Sequence, residues 1–203
     1  MKKLLLLVLC GLFCVVDVMP QKTIGFESLV IEKSGAVNIY WEKNKKNSKS
    51  KTLDGNYRIL FKTYHMTGKF TKGFPIDTLR AYTNTPDGME TAEDGILLLE
   101  YVYDKAGHQH GMQRLFYKDN EQIKSEHPYV HGILEGTARE WHPNGNLKSC
   151  VEMNNGKING ISFGWDEEGN PLSEWHYTDG ERDGVCRMWI RPFCERGLIC
   201  ERS

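Results

Sequence analysis

The 203-residue chain has no surplus of either charge: 26 Lys and Arg stand against 27 Asp and Glu, a formal net charge of -1. A near-neutral chain has no global field to draw in nucleic acid or anionic lipid, so no nucleic acid is expected as a partner and membrane lipid is not favoured. Proline is scarce, 7 residues against 20 glycines, and only 39% of the chain is hydrophobic. With 11% aromatic residues, that composition argues against a packed helical bundle and for tight turns joining aromatic-bearing strands. No apolar run reaches the roughly 18 residues that a membrane helix needs. The longest, Leu4 to Val16, follows Met1-Lys2-Lys3 and is closed by Asp17. A basic start and a short apolar run read as a signal peptide over residues 1–20, so the chain is expected to be exported, periplasmic or secreted. Cys10 and Cys14 lack the small residue that precedes a lipid-modified cysteine, which makes a lipoprotein the lesser reading. Enzyme signatures are absent too: there is no Gly-x-Ser-x-Gly, no phosphate loop and no dinucleotide fingerprint.

What the chain does have is an internal period. Gly136, Gly160 and Gly184 are 24 residues apart, and Gly111 lies 25 before Gly136. We call these the origin glycines. Five residues after each stands an aromatic, Phe116, Trp141, Trp165 and Trp189. Four before each stands a closing glycine, Gly107, Gly132, Gly156 and Gly180. Gly145 and Gly169 occupy a further turn column, where the first copy has Asn120. Seven residues before the closing glycine come Ser125, Ser149 and Ser173, and three before it Tyr129, Met153 and Tyr177. His142-Pro143-Asn144-Gly145 and Asn154-Asn155-Gly156 are turn signals, with glycine supplying positive φ at no steric cost. Between turns there is room for two strands of about six residues. Ser149, Val151 and Met153 then share one face, as do Ser173, Trp175 and Tyr177, with period two. Each origin glycine begins a strand, where the missing side chain lets an aromatic of the adjacent hairpin lie against the backbone. The expected fold is all-β, an elongated antiparallel meander of repeated hairpins that stack on their neighbours.

The run Gly136-Thr137-Ala138-Arg139-Glu140-Trp141-His142-Pro143-Asn144-Gly145-Asn146-Leu147, with Tyr177-Thr178-Asp179-Gly180 followed by Gly184, resembles the MORN-repeat variant, including proteins described as YwqK-like antitoxins. The resemblance implies a repeat-built binding module, and in its sharper form an antitoxin or immunity protein that neutralises a toxin by covering it. It is clearest over residues 107–189. Upstream, Gly88 is a candidate degenerate origin 23 residues before Gly111, and Asp54-Gly55-Asn56-Tyr57 to Phe70 an earlier copy. The repeat domain is placed over residues 54–203, ending in an irregular cysteine-containing cap over 190–203. Residues 21–53 hold one or more N-terminal strands, among them Val37 to Trp41, and a solvated basic loop carrying Lys43, Lys45, Lys46, Lys49 and Lys51. Removing the leader leaves Cys150, Cys186, Cys194 and Cys200, enough for up to two disulfides in an oxidising compartment.

Chemistry is sparse. His108 and His110 fall on one side of an extended segment and could make a pair of metal ligands, the basis for an alternative reading as a metal-dependent hydrolase. The segment coincides with the variable turn between repeat glycines and is read as a polar loop, so no metal and no cofactor are assigned. His127, His131, His142 and His176 occupy different columns and are expected to face different directions. No catalytic residue is assigned. The preferred reading is an exported, non-enzymatic interaction module that docks a protein partner on a sheet face, through Trp141, Trp165, Trp175, Tyr177 and Tyr129.

Overall fold

The glycines that set the period are where the chain turns. The structure is a computed structural model that describes residues 21–43, 46, 49–84 and 95–189. The signal segment, Gly88, Cys194, Cys200 and the cap over 190–203 lie outside the described residues. Lys72-Gly73, His131-Gly132, Asn155-Gly156 and Asp179-Gly180 each hold two consecutive left-handed residues, with φ of 48 to 51° and then 79 to 89°. That pair marks a two-residue type I′ turn, whose twist matches that of the strands it joins. Four residues after each of these glycines the chain is left-handed again, at Asp77 (φ 60°), Gly136 (104°), Gly160 (113°) and Gly184 (93°). At Gly160, Glu152 alone faces the three residues Asn159, Gly160 and Ile161 between the pairs Val151 with Ser162 and Met153 with Ile158. Such a bulge bends its strand and strengthens the twist. A Cβ at Gly160 would meet the Glu152 carboxylate, the movable end of an exposed side chain, so it is the φ of 113° that reserves the position for glycine.

Chain order gives β1 (Lys22–Gly25), a one-turn 3-10 helix (Phe26–Ser28), β2 (Leu29–Ser34), β3 (Val37–Lys43) and β4 (Lys49–Thr52). There follow β5 (Gly55–Leu60), β6 (Tyr64–Thr71), β7 (Phe74–Thr83), β8 (Leu97–Tyr103) and β9 (Gly111–Phe116). The remainder comprises β10 (Ile123–Val130), β11 (Ile133–Leu134), β12 (Gly136–Trp141), β13 (Leu147–Asn154), β14 (Lys157–Trp165), β15 (Pro171–Thr178), β16 (Glu181–Arg182) and β17 (Arg187–Met188). One 14-stranded sheet runs β1-β5-β6-β7-β8-β9-β10-β12-β13-β14-β15-β16, with β11 on β10 and β17 on β15, and β2-β3-β4 form a separate sheet. The expected all-β meander holds, with two additions: β1 joins β5 in parallel, and the small sheet is distinct. The lysine-rich loop is shorter than expected, because Lys49 and Lys51 lie in β4. There Lys49 pairs with Glu32 at 2.5 Å and Lys51 with Glu42 at 3.8 Å.

The small sheet closes a core of Leu29, Tyr40, Leu53, Tyr57, Ile59, Phe70 and Leu79 at the N-terminal end. Beyond Tyr82, Ala138 is the only buried hydrophobic side chain among the described residues. The later repeats cannot be held by a core, and their turns hold them instead. The closing N–H of one unit donates to the carbonyl two residues before the preceding origin: Gly73 to Leu53 (2.8 Å), Gly132 to Gln109 (2.7 Å), Gly156 to Leu134 (3.0 Å) and Gly180 to Ile158 (2.8 Å). At the opposite end of the strands the Tyr117 hydroxyl donates to the Trp141 carbonyl at 2.7 Å, and His142 Nε2 bonds the Trp165 carbonyl at 3.0 Å.

The register also locates the early units. Gly55 (φ 105°) faces Phe70, as Gly111 faces Tyr129 and Gly160 faces Tyr177. Asp77 holds an origin's place before Gly111: it stands four residues after Gly73 and faces Tyr103. In the first clear copy Glu121 (φ 57°), not Asn120, takes the left-handed turn position. That turn spans Tyr117 to Gln122, one residue more than His142 to Asn146, which accounts for the spacing of 25 rather than 24.

Gly160→Ala is expected to cost about 1–3 kcal/mol in urea unfolding. Gly169→Ala (φ 84°, with nothing near its Cβ position) is expected to cost less.

Candidate functional site

Two parallel rows cross one face of the large sheet. The first is set by strand register: Arg58 faces Thr67, Thr67 faces Arg80, Arg80 faces Glu100, and Glu100 faces Arg114. It continues as Arg114 with Glu126 and Glu126 with Arg139. Then come Arg139 with Cys150, Cys150 with Phe163, Phe163 with Glu174, and Glu174 with Arg187. Opposite charges directly across a sheet attract, and here they bond. Arg80 Nε donates to Glu100 Oε2 at 2.8 Å, and Arg114 donates to Glu100 Oε1 at 3.1 Å and to Glu126 Oε1 at 2.8 Å. Arg187 Nη1 holds both oxygens of Glu174 at 2.9 and 2.8 Å. The Glu100, Glu126 and Glu174 side chains are only 18, 16 and 13% exposed, so the carboxylates are shielded, while their arginine partners stay a third to a half open to solvent. The Glu126 hydrogen bond raises the Arg114 pKa above its ordinary value, against an opposing effect of burial.

The second row stands two residues along each first strand and thus on the same face: Tyr82, Phe116, Trp141 and Trp165. Each sits at a register shift, facing Leu97, Ile123, Leu147 and Pro171 respectively. A bulge opposite an aromatic turns the local pleat to receive a large ring.

The charged row is interrupted at Thr67, between Arg58 and Arg80, and again among the later repeats. Where other units place Glu and Arg, this stretch places Cys150 and Phe163 opposite each other. Trp141 and Trp165 flank the break, and Trp165 stacks on Phe163 with centroids 5.6 Å apart. Arg139, at the edge of the break, makes no hydrogen bond or ion pair among the described residues; Glu126, which faces it, is bonded to Arg114. The result is a half-buried apolar patch of Trp141, Cys150, Phe163 and Trp165 beside an unpaired guanidinium. The charged row was missed in the sequence although its signal is there: an arginine stands three residues after the origin in Arg58, Arg80, Arg114, Arg139 and Arg187.

The five aromatics singled out from sequence do not form one surface. Trp141 and Trp165 share the charged face. Tyr129, Trp175 and Tyr177 project from the other, where Trp175 faces Ser162 and stacks under the Arg182 guanidinium at 4.0 Å. Ser125, Ser149 and Ser173 line that second face with Gly164 between the last two. Ser125 is buried with its hydroxyl unbonded, so the column serves close packing there rather than a ligand. Cys150 and Cys186 are free thiols. A bridge between them is excluded by register: Cys150, Phe163, Glu174 and Arg187 lie on four successive strands. Cys186 is therefore about three strand spacings away, roughly 14 Å, against the roughly 7 Å a disulfide tolerates. The histidines need one correction. His131 does converge with others, its ring 4.7 Å from that of His110, because successive turns abut.

Residues 134–155 match the MORN repeat variant. The matched segment is one unit, from β11 through β12 and β13 to the turn at Gly156, and it contains Arg139, Trp141 and Cys150. The chain resembles a repeat-based interaction module in that respect. A comparison with curated proteins finds no match.

Arg114→Met leaves Glu126 without its ion-pair partner and should lower stability by roughly 1–3 kcal/mol, between the exposed and buried limits for ion pairs, as read by urea unfolding. The hydrogen bond from His176, then that from Arg187, holds the Glu174 carboxyl below its ordinary range. A depressed folded pKa gives stability that is present above the unfolded value and lost as pH falls through the folded one. The stability advantage of the wild type over Glu174→Gln should therefore narrow below about pH 4.3.

Proposed function

We propose that the protein is an exported, non-enzymatic interaction module that seats a protein partner on the charged face of its sheet, at the break in the Arg-Glu row. One observation carries this reading. Where Arg80 with Glu100, Arg114 with Glu100 and Glu126, and Glu174 with Arg187 form salt bridges along the row, the cross-strand neighbours here are Cys150 and Phe163, beside two tryptophans and unpaired Arg139. A repeat protein holds its architecture by repetition, so an exception that exchanges ion pairs for apolar surface marks a place selected for something other than stacking. Half-buried aromatic rings beside an arginine are the composition from which binding hot spots are built. The partner that fits is an apolar segment bearing a carboxylate for Arg139. The basic and apolar residues of Met1 to Val16 support export.

The test restores the row. Cys150→Glu with Phe163→Arg should continue the alternating charges from Arg139 to Glu174 and leave the fold intact. Affinity capture from the exported fraction, using the chain from Gln21, should recover a partner with the wild type and with Trp175→Ala. The same partner should be lost with the row-restoring pair and with Trp141→Ala plus Trp165→Ala. Equal recovery by all four proteins, each folded by circular dichroism, refutes the assignment to this face.

A further inference from the structure

The turn after β8 and the turn between β10 and β11 meet at one rim of the sheet, and their polar side chains converge. Asp104, His110 and His131 offer three ligand atoms that all lie within 4.8 Å of one another. His131 Nδ1 is 2.8 Å from Asp104 Oδ2, and His108 Nδ1 is 3.4 Å from the same oxygen. We propose that Asp104, His110 and His131, with His108 as the fourth donor, bind a divalent first-row transition cation, with Zn2+ as the probe, that cross-links two successive repeats.

Donor chemistry and geometry both fit. Three imidazoles and one carboxylate form a borderline-soft set suited to zinc and its neighbours rather than to calcium or magnesium. Two donors each 2.0–2.1 Å from a tetrahedral zinc are about 3.3 Å apart. Among Asp104, His110 and His131 the separations run from 2.8 Å to at most 4.8 Å and bracket that value, and His108 joins them by a side-chain rotation about Asp104 Oδ2, from which its Nδ1 is 3.4 Å away. The carboxylate is already aimed. Asp104 Oδ1 accepts the backbone N–H of Ala106 at 2.9 Å and of His108 at 3.0 Å, leaving Oδ2 for the imidazoles. Supporting bonds of this kind orient metal ligands. His131 is fixed by the type I′ turn in which it holds φ 48°. His110 Nδ1 accepts the His131 N–H at 3.3 Å, a long contact that a metal bond at that nitrogen would replace. His110 and His131 are exposed, so the ion has an entry path.

A cross-link is useful at this rim. Gly107 N–H bonds Asp104 O within its own turn at 3.1 Å, as Gly145 and Gly169 do in theirs, whereas Gly73, Gly132, Gly156 and Gly180 of the type I′ turns reach back to the preceding repeat. The turn bearing Asp104 is thus the one whose closing glycine lacks that tie, and a cation would fasten it to the turn that follows.

The test is zinc titration of the chain from Gln21 by calorimetry at pH 7.5, with metal content after dialysis and thermal unfolding as second and third readouts. Wild type should bind one equivalent and gain in Tm. His110→Gln plus His131→Asn keeps a hydrogen-bond acceptor at 110 and a residue that tolerates the left-handed turn at 131, so it should fold with unchanged apo Tm yet lose at least tenfold in affinity. Asp104→Asn should weaken binding similarly, and His142→Ala should leave it unchanged. Binding should fall as pH is lowered through the range where imidazole gains its proton. The proposal is overturned if folded wild type binds no zinc. It also fails if the double variant binds as tightly, or if binding leaves Tm where it was.

Discussion

One backbone conformation per repeat, a residue held at positive φ four positions beyond each type I′ turn, is the constraint on which the rest depends. The bulge it creates bends the strand and brings each turn down onto the one before, so that a closing N–H can reach the carbonyl of the preceding repeat. That geometry lets a single-layer sheet persist without a core. Stability in this stretch comes from cross-strand pairs and turn-to-turn bonds, each modest in worth, repeated at every unit. The N-terminal end works differently. There Tyr57, Phe70 and Leu53 are sealed beneath the small sheet, and the meander starts from a closed core.

The two faces divide the labour of holding the sheet together. One carries the alternating Arg and Glu row with the aromatics beside it. The other carries Ser125, Ser149, Gly164 and Ser173, small residues among which Gly164 has no room for a Cβ beside the Ser173 hydroxyl. Against so regular a background the departures are informative. Cys150 and Phe163 remove charge from the middle of the row, and Asp104, His110 and His131 put ligating groups where later turns carry Glu135 and Asn155.

Much of this was legible in the sequence, for reasons that are local. Type I′ turns demand a glycine, and Gly132, Gly156 and Gly180 announce them; Val151 and Met153 fall on the face of Ser149 because strands alternate. The early units were obscure because Asp77 replaces a glycine by adopting φ 60°, and because Asp77 and Gly111 stand 34 residues apart where later origins stand 24 apart. The charged row was hidden because no single strand displays it. Only register sets Glu100 between Arg80 and Arg114. The meeting of His110 and His131 was missed for a related reason: columns describe positions along a unit and say nothing of which turns abut in space.

The outer end of the sheet is secured lightly. β15 has as its partners on that side only β16 and β17, with two paired residues each among those described, and Trp189 adds a backbone bond to Leu172 at 3.0 Å. A linear array in which each unit leans on its neighbours opens from its weakest end, and the free energy of opening climbs unit by unit toward the sealed core. The molecule is therefore a zipper with one fixed end. Trp141 and Trp165 lie partway along it, so a partner seated on them as proposed would also set how far the zipper runs open.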